Sequence, residues 1–107
     1  MHLVLLTARD PLRAGDGAHP ARTAADFAAD GNDITLVLLE DAVTLTRPAH
    51  RDAGELAAAV AAGATVLAEE EALSRRAVTD LADGVKPTGL DEIVDLLMER
   101  SDRQAWV

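Results

Sequence analysis

Short unbroken apolar runs alternate along this chain with segments whose apolar residues recur every three or four positions, and the alternation predicts strands and helices in turn. His2–Thr7 (HLVLLT) and Asp33–Leu39 (DITLVLL) are too short and too uniformly apolar for surface helices, and read as strands buried on both faces. Ala64–Ala68 (ATVLA) reads as a third strand. Gly84–Pro87 gives at most a short one, with Pro87 suited to its end or to a sheet edge, and Gln104–Val107 offers a short terminal strand.

Between these runs lie a loop, Arg9–Pro20, with Pro11, Gly15, Gly17 and Pro20 as turn signals, and then the helical spacing of Ala21, Ala24, Ala25 and Ala28 beside Phe27, stopped by Gly31. A helix from about Arg51 is marked by Asp52 and Glu55 at cap and third-position spacing and by the stripe Ala53, Leu56, Ala57 and Val60, with Gly63 as its end. Glu69–Ala82 reads as a helix with Leu73, Ala77 and Leu81 on one side. Thr88 and Asp91 have the spacing of a capping box ahead of Leu90, Ile93, Val94, Leu97 and Met98, the clearest amphipathic stripe here. Glu40–His50 stays open: Val43 and Leu45 alternate like a strand, yet Pro48 interrupts. Strand and helix in repeated succession predict a single α/β domain over residues 1–107, with parallel strands joined by right-handed crossovers and flanked by helices.

Composition narrows the partners. Of the 107 residues 22 are Ala, so helices are expected to approach their neighbours closely, while Phe27 and Trp106 are the only aromatic side chains. A net charge of −9 and so few aromatics remove both the basic footprint and the stacking platform of a nucleic-acid site. No apolar run reaches the roughly 20 residues of a membrane-spanning helix, and Met1–Thr7 is short and lacks a basic flank, so the chain reads as cytoplasmic, without a membrane partner. Nine Arg stand against one Lys, and the acidic excess reads as a solvated surface.

In a parallel sheet, ligands bind outside the carboxyl ends of the strands, here Ala8–Gly17, Glu40–Val43, Glu69–Glu71 and Pro87–Gly89. Asp10, Glu40, Asp41 and Glu69, with Arg75, are the candidate rim or binding residues, and converging carboxylates of this kind hold hard cations such as Mg²⁺. The plainer reading of Glu69–Glu71 is a helix start, where acidic residues oppose a positive dipole end. Gly15 and Gly17 precede a helix but match no phosphate-binding fingerprint, and Asp10 and Asp16 would repel an anion. His2, His19 and His50 are scattered without metal-ligand spacing, and Ser74 has no His at motif spacing. Arg75 and Arg76 offer an anion clamp, but the plainer expectation is that they pair with Glu71 and Asp80 along their helix. No catalytic constellation, metal site or cofactor is indicated.

Taken in order, these pieces resemble the DsrE/DsrF/DsrH (TusBCD) family of small sulfur-relay proteins over nearly the whole chain. The resemblance is carried by the opening strand with its Pro-containing loop, the Ala-rich helix closed by Gly31-Asn32-Asp33, and Ile34–Leu39 running into Glu40-Asp41-Ala42-Val43. It continues through Gly63–Leu67 with Glu69–Glu71 and Arg75, Gly84-Val85-Lys86 before Leu90–Leu96, and the tail Asp102-Arg103-Gln104-Ala105-Trp106. It implies a three-layer Rossmann-like α/β fold, with a mainly parallel sheet of about five strands, and assembly into homo- or hetero-oligomers with cysteine-bearing relatives. Active members carry sulfur as a cysteine persulfide, in some cases just after the third strand. Ala68-Glu69-Glu70 stands there and the chain has no cysteine, so no thiolate is present to carry sulfur. The leading expectation is therefore a non-catalytic structural or regulatory subunit, with Trp106 as candidate interface. The alternative is a small-molecule or metal-dependent binder, or an enzyme, using the acidic rim.

Overall fold

The computed structural model describes all 107 residues and shows one five-stranded parallel sheet. Its strands are β1 (His2–Thr7), β2 (Asp33–Leu38), β3 (Thr65–Glu69), β4 (Val85–Thr88) and β5 (Arg103–Trp106), in the spatial order β4-β3-β2-β1-β5. The helices are α1 (His19–Ala29), α2 (Ala53–Ala61), α3 (Glu70–Arg75) and α4 (Leu90–Glu99), with a 3₁₀ helix over Glu40–Thr46. From β1 to β4 the chain steps in one direction across the sheet, and it then returns to place β5 beside β1. Right-handed crossovers therefore put α1, α2 and α3 on one face and α4 alone on the other. Each helix runs back along the sheet, so helix N-termini gather at the carboxyl ends of the strands.

The two faces bury different sets of residues. On the first, Leu5, Ile34, Leu36, Leu38 and Val66 pack against Ala21 and Ala24 of α1, Leu56 and Ala59 of α2, and Val43 and Leu45 of the 3₁₀ helix. Small Ala side chains let α1 and α2 lie close, as the composition predicts. On the second, Val4, Leu6 and Val37 meet Ile93 and Leu96 of α4. Full burial of each large aliphatic side chain is worth about 1.5–3 kcal/mol, so most of the driving force lies on the first face.

A helix is roughly 10 Å wide and strands lie about 4.8 Å apart, so α4 can cover only about two strands of the second face. The side chains of α4 record this. Ile93 and Leu96 are buried, whereas Leu90, Val94 and Met98 of the predicted stripe are 59%, 49% and 80% exposed. Parallel partners share a face, so Thr65 and Lys86, beside Thr35 and Leu67, line the open flank toward β4, and Gln104 and Trp106, beside Val4 and Leu6, line the flank toward β5.

Other expectations are corrected as well. The Glu40–His50 segment, left open by its sequence, begins as a 3₁₀ helix and buries Val43 and Leu45 together. Neither capping box forms: Gly89 precedes α4 without a side-chain cap, and Asp52 precedes α2 without one, its own N–H donating to His50 Nδ1 at 3.0 Å. The helix predicted over Glu69–Ala82 ends at Arg75. Ala77 takes a left-handed φ of 51°, and the turn carries Val78 into the core, where its N–H donates to the Leu73 carbonyl at 3.0 Å. Ala82 N–H then reaches the Thr46 carbonyl at 2.7 Å. Burial of Val78 and bonding to a neighbouring loop outweigh the helix propensity of this stretch, and Ala77 is left exposed rather than on the stripe.

The same stretch ends at Gly84, whose φ is +87° and where an added Cβ would lie 2.6 Å from Val60 Cγ1 of α2. Gly84→Ala is expected to lose about 2–3 kcal/mol through strain and overlap. Ala77→Gly, which relieves a left-handed alanine in open solvent, is expected to gain up to about 1 kcal/mol. Urea unfolding of both variants at unchanged slope checks the opposite signs.

Candidate functional site

Local structure accounts for each of the acidic rim candidates. Asp10 begins the loop after β1, and its carboxylate accepts from Leu12 N–H at 3.0 Å and lies 3.9 Å from Arg13 Nε. Glu69, the last residue of β3, is the N-cap of α3: its carboxylate accepts from Glu71 N–H and, at 3.1 Å, from Ala72 N–H. Arg75 pairs with Glu71 at 2.7 Å across one helical turn, in solvent, as expected. Glu40 and Asp41 both turn to Arg76. No three His, Asp or Glu side chains are arranged to hold a metal ion.

Arg76 is the organising cation of this region, and its partner differs from the expected Asp80. Its guanidinium donates to Asp41 Oδ1 from Nε at 3.0 Å and from Nη2 at 2.8 Å, and to the Ala72 carbonyl from Nη1 at 3.1 Å. Glu40 Oε2 lies 3.6 Å away. Arg47 in turn donates to the Arg76 carbonyl at 3.0 Å. The early end of α3 turns Arg76 toward the 3₁₀ helix, away from its own helical face, so sequence spacing could not reveal the pair. Glu40 also holds a left-handed φ of 48°, which bends the chain sharply as it leaves β2.

At the other end of the rim a cavity of about 150 Å³ opens beside the carboxyl ends of β1 and β5. Thr7 and Val107, both on the α1 face, contribute to its floor; Pro11 and Gly15 come from the first loop, His19 and Pro20 from the start of α1, and Ala42 and Leu45 from the 3₁₀ helix. This is where the strand order reverses direction, with β2 on one side of β1 and β5 on the other. Open α/β sheets leave a crevice at such a switch point. Of its residues, sequence reasoning considered Gly15, Gly17 and His19 but not Thr7, because a strand's last residue carries no motif. Gly17 serves packing rather than ligand approach, since a Cβ there would lie 2.1 Å from the Pro11 carbonyl oxygen.

Beneath this loop sits a second feature that the sequence did not disclose. His50 and Asp52, half of a turn into α2, lie together with side-chain exposures of 7% and 19%. His50 Nε2 and Asp52 Oδ2 meet no protein hydrogen-bond partner, although Arg51 Nε lies 3.7 Å from that oxygen. Since Nδ1 of His50 accepts from Asp52 N–H, the neutral ring carries its proton on Nε2.

No protein-family model matches the chain, and no curated protein sequence matches it. Among solved structures, the ychN protein from E. coli superposes with a TM-score of 0.88 at 19% identity, over 100% of both chains. A protein of unknown function, MTH1491 from Methanobacterium thermoautotrophicum, superposes with a TM-score of 0.77 at 18% identity, over 97% of this chain and 96% of that one. The chain thus has a Rossmann-like α/β fold that these proteins share from end to end.

Because Glu69 is the start of α3, its role is tested by stability. Glu69→Ala is expected to cost about 1 kcal/mol, while Glu69→Asp, a better N-cap residue, keeps that stability or adds to it. Chemical denaturation of the pair would show instead equal losses if the carboxylate served something other than the cap.

Proposed function

We propose that this protein is a DsrE/DsrH-like interaction subunit, a structural or regulatory member of a sulfur-relay type of assembly, unable to carry persulfide itself. One observation carries the reading: the outer flank of α4 and the edge of the sheet expose large apolar side chains that nothing in the chain covers. On the helix, Glu92, Leu96 and Arg100 face the polar groove over β3 and β4 with Lys86 and Thr65. With Ile93 and Leu96 against the sheet, residues 90 and 94 lie beyond the other flank of the helix and 98 on its solvent side. Leu90, Val94 and Met98 are exposed on the same side of the sheet as Trp106, itself 68% exposed. Concentrations of this kind mark association surfaces, and Trp is favoured at their centres.

The chemistry of the chain supports the same reading. Persulfide transfer needs a thiolate, and there is no cysteine. The neighbourhood where the family resemblance would look for one reads Ala68-Glu69-Glu70, with the Glu69 carboxylate engaged in capping α3. A cation-dependent activity at the acidic rim draws no comparable support, since Asp10, Asp41 and Glu69 have local partners that account for them.

Two measurements test the proposal. Incubated with a cysteine desulfurase and cysteine, the purified chain is expected to gain no thiol-releasable sulfur by intact mass. Light scattering after gel filtration is expected to give a mass above the monomer, rising with moderate salt as the charge of −9 is screened. Trp106→Ala should weaken that association by about 2 kcal/mol, roughly thirtyfold. A monomer at every salt concentration, with no cysteine-bearing relative bound, would overturn it.

A further inference from the structure

The two edges of the sheet are finished differently. Strand β4 carries Lys86 and Pro87, a charge and a residue without an N–H, both of which discourage an edge strand from pairing with another chain. Strand β5 reads Arg103-Gln104-Ala105-Trp106 and has neither device. Its free backbone groups follow from the ladder. Leu39 N–H donates to the Thr7 carbonyl and Val107 N–H to the Leu6 carbonyl, so odd residues of β1 bond β2 and even residues bond β5. In this parallel register the even residues of β1 take their bonds from Arg103, Ala105 and Val107. The N–H and C=O groups of Gln104 and Trp106 therefore point away from the sheet.

Both flanks of this open edge are apolar. On the α1 face a groove beside β5 is lined by Leu3, Leu5, Phe27, Ala105 and Val107, and Arg103 is its only charged side chain. On the α4 face Trp106 is exposed, while Gln104 folds back on its own helix, donating to the Leu97 carbonyl at 2.6 Å and to the Ser101 hydroxyl at 2.8 Å. Of the 19 acids in the chain, Asp102 adjoins the strand in sequence, and its carboxylate accepts from His2 N–H at 2.7 Å. The edge thus combines free hydrogen-bonding groups and apolar flanks with little of the charge that keeps copies of this acidic chain apart.

We propose that β5 pairs with β5 of a second copy, antiparallel about a twofold axis at Ala105, and joins the two five-stranded sheets into one. In that register Gln104 of each copy stands opposite Trp106 of the other, so the outward groups of both residues are all used. Ala105 meets its own twin at the axis, where a small side chain lets the strands close. Each Trp106 lies beside a Gln104 already drawn toward its own α4, which leaves room for the indole. Such an interface is isologous: one patch serves as both donor and receiver. A four-residue strand with one Trp per copy buries about 1,000 Å² in total at most, so the dimer is weak, with a micromolar dissociation constant. This names the partner at the Trp106 surface and rests on reading that surface as an interaction site.

Proline separates strand pairing from other contacts, because the N–H of residue 104 takes no part in the bonds to β1. By light scattering at high loading, the full chain is expected to show twice its monomer mass of 11.2 kDa. Gln104→Ala, which loses the side-chain bonds but keeps the N–H, should retain the dimer. Gln104→Pro should raise its dissociation constant about tenfold or more. Ala105→Glu and Ala105→Lys each place like charges across the axis and should be monomeric alone, whereas an equimolar mixture of the two should form dimers. A dimer indifferent to Gln104→Pro but lost in Trp106→Ala would overturn the pairing and leave the interaction surface standing. A mixture of the Glu and Lys variants that stays monomeric would also overturn the pairing, and a full chain monomeric at every concentration would remove both.

Discussion

The constraint on which this structure depends is that a parallel sheet must be covered on both faces, while its crossovers here distribute the helices three to one. Strands in such a sheet are apolar on both sides because helices are meant to lie on each. Three successive crossovers fill the α1 side. A single return crossover, α4, is left to cover the other side of five strands, and it reaches only the middle. Toward β4 the sequence adjusts to this shortage: Thr65 and Lys86 stand over β3 and β4, where water meets the sheet. Toward β5 the adjustment is partial: Gln104 is polar and donates to the Leu97 carbonyl at 2.6 Å, while Trp106 remains in solvent, as do Leu90, Val94 and Met98 of α4. The β4 flank is thus built for water, and the β5 flank retains at Trp106 surface that water does not stabilise.

Electrostatics at the rim follows from the same topology. Gathering the helix N-termini at the carboxyl ends of the strands creates a row of positive dipole ends, and much of the chain's acidity is placed against it. Glu69 caps α3, Glu70 and Glu71 fill its first turn, and Asp91 and Glu92 fill that of α4. Glu40 and Asp41 lie against Arg76, which joins α3 to the 3₁₀ helix. An acidic rim that looks like a cation site in one dimension is therefore largely a set of separate local compensations in three. At the start of α1 the His19 N–H is taken by the Asp16 carbonyl at 3.2 Å, and the cavity opens beside it.

Much of the architecture was legible from apolar run length. His2–Thr7 and Asp33–Leu39 announce central strands because they must be buried on both sides, and Pro87 announces an edge because it cannot donate to a neighbour. Illegible were the features set by tertiary contact. Whether Val78 continues a helix or turns into the core depends on space beside Leu73, and whether Thr88 caps a helix depends on where the chain leaves β4. For α4 the period was right but the buried arc was rotated, because the number of strands beneath a helix is absent from its own sequence. At the rim, Asp10 and Glu69 could be placed from sequence, but their hydrogen-bond partners could not. Thr7 had no signal beyond being the polar end of an apolar run.

The end of β5 borders both the exposed Trp106 and the cavity at the switch point. Trp106 and Val107 are consecutive, so strand geometry sends them to opposite faces: Trp106 pairs in register with Leu6 toward the α4 side, and Val107 turns to the α1 side, where it lines the cavity. The strand is only four residues long, all exposed, and has a single neighbour, β1. Its last anchor is the bond from Val107 N–H to the Leu6 carbonyl at 2.8 Å. Short edge strands with one neighbour are among the first elements to open locally. The exposed Trp106 and the Val107 wall of the cavity thus depend on one strand and its pairing with β1.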